Sequence, residues 1–261
     1  MNSSADALAS ALAERLDRAR TAAAGIDPPP ELATLSLTQA YDVQDALAAM
    51  RVDGGSRQSG WKLGLTSPIK QRIMGIAHPL FGRIFADGER ASGDHVDHET
   101  LIAPRSEPEL AIGLAGPIDA SMDLATLTNA IDWIAPALEI TDSRYRSGVR
   151  TAIELVADNT SSAGYVIGAR MPLRGRSAIP AYATELVRNG VVVATGSTLD
   201  VLGNPVQALA ALATHLRARG LRAGAGDIVL SGAITDAIPV AAGDVIEARL
   251  AALGTAAVTF V

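Results

Sequence analysis

The sequence predicts an α/β (α+β) chain in which an N-terminal helical region, residues 1–58, precedes a β-rich region, residues 59–261. Three observations predict it. Leu8, Leu12 and Leu16 recur every four residues within 5–24, the spacing of one helix face, and a second helical pattern runs from Thr38 to about Arg51. Beyond residue 58, short apolar runs alternate with Gly, Asp and Pro, the punctuation of strands and turns. One of these breaks is Asn189-Gly190, set between Glu185–Arg188 and Val191–Thr195, which is a strong hairpin signal.

The elements follow in order. The first helix stops at Gly25-Ile26-Asp27-Pro28-Pro29-Pro30. Thr38 is expected to cap the second helix, which carries Tyr41, Leu47 and Ala48 on its apolar side and ends at Gly54-Gly55. Residues 60–66 read as a strand entering a Ser67-Pro68 helix start. A turn through His78-Pro79-Leu80-Phe81-Gly82 leads to a short strand ending at Asp87-Gly88. Asp94, His95, Asp97 and His98 read as a polar connecting loop. Residues 103–114 form a strand, 123–133 a helix on Leu124, Leu127 and Ile131, and Ile134–Ile140 a buried strand. Pro205–Arg219 reads as a helix, with proline at its start, Arg217 and Arg219 in its last turn and Gly220 after it. Strands are expected at Ile228–Leu230, Val245–Leu250 and Ala256–Val261.

Composition narrows the function. Hydrophobic residues make up 48% of 261, enough for a sizeable core. A net charge of −6 with no basic run argues against nucleic acid or an acidic membrane surface as partner. There is no cysteine, which excludes disulfides, thiolate nucleophiles and zinc-thiolate sites. No apolar run is long enough to cross a bilayer, and Asp6, Glu14 and Asp17 fit poorly with a targeting peptide, so a cytoplasmic protein is expected.

The chemistry concentrates in Arg105-Ser-Glu-Pro-Glu109. Glu107 and Glu109 are two apart on a strand, so both carboxylates share one face. Such a pair is either solvated or neutralised, and a hard divalent cation would neutralise it. Lys62 lies in the apolar run Trp61-Lys-Leu63 and either snorkels to the surface or meets an anionic partner. Glu139, among Ala137, Leu138 and Ile140, needs a partner if buried. Asp158, Asn159 and Ser161 shape a tight loop or face a ligand. No Gly-x-Ser-x-Gly elbow accompanies them, which disfavours a serine hydrolase.

Taken together, Lys62-Leu-Gly-Leu-Thr-Ser67, Phe81-Gly82 with Phe85-Ala-Asp87, Glu107-Pro-Glu109, Pro136-Ala-Leu-Glu139, Asp142-Ser-Arg144, Val156-Ala-Asp-Asn-Thr-Ser161, Leu202-Gly-Asn-Pro205 and Ala225-Gly-Asp-Ile228 form an ordered set. In this order they resemble the 2-oxopent-4-enoate hydratase and 4-oxalocrotonate decarboxylase group of the fumarylacetoacetase superfamily, from about residue 38 onward. The resemblance implies a mixed β-sandwich roll with flanking helices, in a homo-oligomeric enzyme that takes Mg²⁺ or Mn²⁺ and a small 2-oxo acid. It places the metal ligands at Glu107, Glu109 and Glu139, the lysine at Lys62, and a substrate- or water-positioning serine at Ser161. Lys62 would hold the substrate carboxylate or move a proton, with burial lowering its pKa.

The pattern departs from the hydratases at Leu80, where they carry an acid before Phe-Gly; His78 and Asp87 are the candidates to replace it. The aromatic-containing stretch after Asp-Ser-Arg is also altered, to Ser147-Gly148-Val149. Tyr145 and Ser231-Gly-Ala-Ile-Thr235 resemble the decarboxylase branch, whereas Phe85-Ala-Asp87 and Ala130-Ile-Asp-Trp133 resemble the hydratase branch. The expectation is a metal-dependent lyase, with hydration of a 2-hydroxy-2,4-dienoate first. Decarboxylation of a 2-oxo-enedioate is close behind and C–C hydrolysis third. A non-catalytic 2-oxo-acid-binding subunit is the reading of another class, and a partner enzyme of the same pathway is a further implied contact.

Overall fold

A computed structural model describes residues 3–261. The chain opens with α1 (Ser3–Thr21) and α2 (Leu37–Asp53), then β1 (Gln58–Gly64), α3 (Pro68–Ile73) and β2 (Leu80–Phe85). The short strands β3 (Glu89–Ala91) and β4 (His95–Val96) lead to β5 (Arg105–Leu114), α4 (Leu124–Asn129) and β6 (Ile131–Thr141). After α5 (Ala152–Ala157) come β7 (Ser162–Ile167), β8 (Met171–Pro172), β9 (Ala183–Arg188) and β10 (Val191–Ser197). Then α6 (Pro205–Ala218), β11 (Ile228–Leu230), β12 (Ile238–Pro239), β13 (Val245–Leu250) and β14 (Gly254–Phe260) complete the described chain.

These strands build two mixed sheets, and the architecture is the expected β-rich α/β fold with an N-terminal helical layer. The larger sheet runs β2-β1-β11-β5-β6-β7-β3, with β12 paired to the start of β5 and β8 to β6. β1–β11 and β3–β7 are parallel and the other pairs of this sheet antiparallel. The smaller sheet runs β10-β9-β13-β14-β4 and contains the Asn189-Gly190 hairpin.

One face of the larger sheet packs in the main core. Leu12 and Leu16 of α1, Tyr41 and Leu47 of α2, Trp61 and Leu63 of β1, Leu110 and Ile112 of β5 and Leu209 and Leu212 of α6 belong to a single buried cluster. The helical layer and the β-rich region therefore share a core across the expected boundary at 58/59. The opposite face carries a second cluster with small members, Ala111, Ala135 and Ala137, beside Ile84, Tyr165, Ile228 and Leu230. Alternation along each strand puts Lys62, Glu107, Glu109 and Glu139 on this second face.

Three local expectations change. α2 is capped by Ser36 rather than Thr38: the Ser36 hydroxyl accepts from Gln39 N–H and the Gln39 side chain accepts from Ser36 N–H, a reciprocal capping box. The helix expected over 123–133 ends at Asn129, because Ile131 pairs with Leu114 as the first residue of β6; lying four residues on from Leu127 and seven from Leu124, it continues the helical spacing although it belongs to the strand. The polar loop around His95 contains a two-residue strand, which seals one edge of the smaller sheet. Among the described residues no helix is long and apolar enough to cross a membrane.

Candidate metal centre and active site

Glu107 and Glu109 reach the second face from β5, and Glu139 reaches it from β6, directly opposite Glu107 in the antiparallel ladder. A carboxylate oxygen from each lies within 4.8 Å of the others. Glu109 and Glu139 are fully buried and Glu107 is half-buried. Three carboxylates this close repel one another, and burial compounds the penalty. Burial, then the charges of Glu139 and Glu107, hold the Glu109 carboxyl well above the usual carboxylate range. Burial likewise pushes Glu139 up to about 7, against the pull of Lys62.

Lys62 is the counter-charge. It projects from β1 with 2% exposure, its Nζ lies 3.0 Å from Glu139 Oε2, and it donates to the Thr160 carbonyl at 3.1 Å. The sequence left open a surface snorkel; the side chain instead points into the acidic cluster. The expected lowering of its pKa is reversed. Burial acts downward, but Glu139, Glu107 and Glu109 together outweigh it and the ammonium form is favoured.

One lysine does not satisfy three carboxylates. Glu109 Oε2 accepts from the Gly232 N–H at 2.7 Å, while Glu109 Oε1 and both Glu139 oxygens accept no well-directed hydrogen bond despite being buried. That approach requires glycine: Gly232 has φ +103, and a Cβ there would meet Thr66 Cγ2 at 2.5 Å. Converging, underpaired carboxylate oxygens are the donor set that Mg²⁺ or Mn²⁺ prefers, so the residues present fit such an ion.

Ser161 is held by an unusual loop. Asn159, Thr160 and Ser161 have φ of +50, +50 and +58, three consecutive non-glycine residues in the left-handed region. That backbone is strained and is fixed by its partners. Asn159 mimics a strand residue, accepting from Arg83 N–H and donating to Arg83 C=O, both at 2.8 Å. Gly82 lets the loop sit on β2, since a Cβ there would lie 2.2 Å from Thr160 Oγ1. Ser161 Oγ donates to Asp158 Oδ2 at 2.9 Å, and Asp158 is ion-paired with buried Arg144 at 2.9 Å. Burial nevertheless raises Asp158 to about 6.

A cavity of about 210 Å³ opens onto the cluster and is lined by Lys62, Glu107, Thr160 and Ser161. The other two candidates stand elsewhere. Asp87 stands apart from the glutamate cluster, its carboxylate bound by Arg51 at 2.8 Å and Ser56 at 3.0 Å. It sits in the 3₁₀ turn Ala86–Gly88 that follows β2, and lines a different cavity together with Arg51 and Arg144. His78 is exposed in the turn before β2, and Leu80, two residues on, is buried in the main core.

Two cations at the mouth escaped the sequence reading. Arg105, the first residue of β5, shares the face of Glu107 and Glu109, and Lys70 on α3 pairs with Asp236 at 2.7 Å; both line the cavity. The alternation Arg105, Glu107, Glu109 was the available signal for the arginine.

The chain is similar to known proteins over most of its length. Residues 83–261 match the model of the fumarylacetoacetate (FAA) hydrolase C-terminal family. A 4-oxalocrotonate decarboxylase of Pseudomonas putida is 32% identical over 253 residues, covering 96% of each chain. A 2-keto-4-pentenoate hydratase of Burkholderia vietnamiensis is 35% identical over 224 residues, 85% of this chain and 86% of the other. The structure of the 4-oxalocrotonate decarboxylase from Pseudomonas putida G7, complexed with magnesium and adipate, superposes with a TM-score of 0.92 at 32% identity, covering 97% of both chains. The carboxylate-lined fold and these matches together show that the chain belongs to the fumarylacetoacetate hydrolase family.

Proposed function

We propose that this chain is a divalent-metal-dependent lyase acting on a short unsaturated 2-oxo acid, and that its geometry best supports decarboxylation of a 2-oxo-enedioate. The observation that carries the reading is the convergence of half-buried Glu107 with fully buried Glu109 and Glu139, whose carboxylate oxygens are underpaired with Lys62 as their one close cation. The named relatives, a decarboxylase and a hydratase with high coverage, support the same class. A bound cation supplies Lewis-acid polarisation of the 2-oxo group, drawing negative charge toward that oxygen.

The remaining work falls to side chains. Lys62 brings a fixed positive charge to where the acid's head would sit, stabilising charge that develops as carbon dioxide leaves. Ser161, oriented by Asp158, positions the carboxylate or a water through its hydroxyl. Arg105 and Lys70 draw an anionic substrate to the mouth.

Decarboxylation is placed ahead of hydration because of Leu80, Asp87 and His78. Adding water to a diene calls for a dedicated proton carrier beside the substrate. Leu80 is buried in the main core, Asp87 is engaged by Arg51, and His78 faces solvent. The test is an assay with Mg²⁺ of the 2-oxo-enedioate and the 2-hydroxy-2,4-dienoate. Carbon dioxide release from the first is expected. Loss of dienol absorbance without carbon dioxide would establish the hydratase instead, and turnover of neither acid would favour a binding subunit.

A further inference from the structure

A cavity of about 400 Å³ lies where the C-terminal ends of α1 and α2 meet the 3₁₀ turn after β2, strand β3 and the end of β6. It shares no wall residue with the metal-facing cavity. Arg20, Arg51, Arg90 and Arg144 line it, against Asp87 and Asp142, in a chain whose net charge is −6. The four arginines come from separate elements, so the fold and not local sequence collects them.

Both wall aspartates are already committed. Asp142 accepts from the Ile102 and Ala103 N–H groups at 2.9 and 2.7 Å, and Asp87 is bound by Arg51 and Ser56. Arg20 pairs with Asp17 at 2.7 Å and Arg144 with Asp158 at 2.9 Å, neither acid being a wall residue. These pairs fix the guanidinium forks but use only part of them, since each fork carries five N–H donors. Arg51 meets Asp87 through Nη2 alone, its Nε is buried with no hydrogen-bond partner, and its flat face rests on the Phe85 ring, 4.0 Å from the centroid. Burial lowers the Arg51 pKa against the pull of Asp87, and the like charges of Arg20 and Arg144 add to the lowering.

A structural role accounts for the Arg51–Asp87 pair, which ties α2 to the turn after β2. It does not account for Arg90. That guanidinium gives Nη1 to the Asp87 and Glu89 carbonyls, both at 2.8 Å, and among the described residues it meets no carboxylate. Positioned forks with spare donors around one cavity are the equipment of bidentate phosphate or carboxylate recognition. We propose that this cavity is a second binding site, separate from the glutamate cluster, for a small oxyanion with two negative charges, a phosphate monoester or a dicarboxylate, gripped by Arg51 and Arg90 with Arg20 at the more exposed side. The metal-site reading plays no part in it.

Calorimetric titration of the desalted, metal-free protein at low ionic strength tests this, with inorganic phosphate and succinate as probes. One site per chain is expected, and the tighter probe tells the phosphate source from the carboxylate one. Losing a charge-assisted hydrogen bond costs about tenfold or more in affinity, so Arg90→Gln and Arg51→Gln should each weaken the tighter probe by that factor. Arg90→Gln breaks no ion pair, so its anion-free melting curve should match wild type and the lost affinity is not lost folding. Lys70→Gln, at the metal-facing mouth, should leave the affinity unchanged. Heat from neither probe, an affinity indifferent to Arg90→Gln and Arg51→Gln, or one that falls with Lys70→Gln instead overturns the site.

Discussion

At the level of single residues, the site poses a problem of charge that its variants can expose. Glu139 is fully buried, faces Glu107 across the ladder and relies on Lys62. Glu139→Gln keeps the shape but removes a hard ligand, and we expect metal-dependent turnover to fall at least a hundredfold. Full activity at saturating Mg²⁺ would remove Glu139 from the ligand set. Lys62→Ala does something different. It leaves Glu139 buried without its cation, which costs about 3–5 kcal/mol in comparable ion pairs, so the metal-free variant should melt well below wild type. With Mg²⁺ restoring positive charge to the cluster, the variant should bind metal nearly as well as wild type and turn over far more slowly. A kcat equal to wild type, measured beside a Mg²⁺ titration, would reduce the lysine to a structural partner. Ser161 is a positioning case, because its hydroxyl is committed to Asp158 and its backbone is strained.

Secondary-structure elements carry their own test in α6, which packs against α2 and β2 through His215. The imidazole stacks on Phe81 with ring centroids 4.4 Å apart and tilts against Tyr41 at 4.6 Å. Burial and then Arg219 push its pKa down to about 4, against the pull of Asp45, with Arg83 also facing it. A histidine depressed in the folded state is protonated first in the unfolded chain, so stability is retained above about pH 6.5 and lost as pH falls toward 4. Partial exposure discounts the effect to roughly 1–2 kcal/mol. His215→Phe keeps the stack and removes the titration; thermal melts at pH 7 and 4.5 should differ less for the variant than for wild type, and an unchanged difference would assign the acid sensitivity elsewhere. The same elements show what a sequence discloses. The carboxylates on β5 were legible because a two-residue period is a local property, and Glu139 because a charge in an apolar run demands a partner. Ser36 was missed as a cap because Thr38 offered the same chemistry two residues later. The left-handed run at Asn159–Ser161 was illegible because it is imposed from outside, by Gly82 and the Arg83 backbone on β2. The partners of Asp87 were illegible for a related reason: Arg51 and Ser56 come from over thirty residues earlier.

Across the whole molecule, the site is the junction of elements that would otherwise drift apart: β1 supplies Lys62, β5 and β6 the glutamates, the turn after β11 the Gly232 N–H, and the loop after α5 Ser161. The larger sheet holds these at fixed spacing because its other face is locked into the core shared with α1, α2 and α6. A cation bound at the junction should therefore stabilise the entire fold. Anything that binds only the native state adds stability by mass action, about 2.7 kcal/mol when free ligand is a hundred times its Kd. For a chain of this size each kcal/mol raises Tm by about 2–4 °C, so saturating Mg²⁺ should raise it by roughly 5–10 °C relative to protein in chelator. Glu139→Gln should split the two contributions. Without metal it loses one member of a mutually repelling trio, yet Lys62 loses its counter-ion, so its melting point should stay near that of wild type. With metal its gain should be a small fraction of the wild-type shift. A wild-type melting curve indifferent to Mg²⁺ and Mn²⁺ would mean that the three carboxylates settle their repulsion by protonation alone, and the metal centre would be lost with the function built on it.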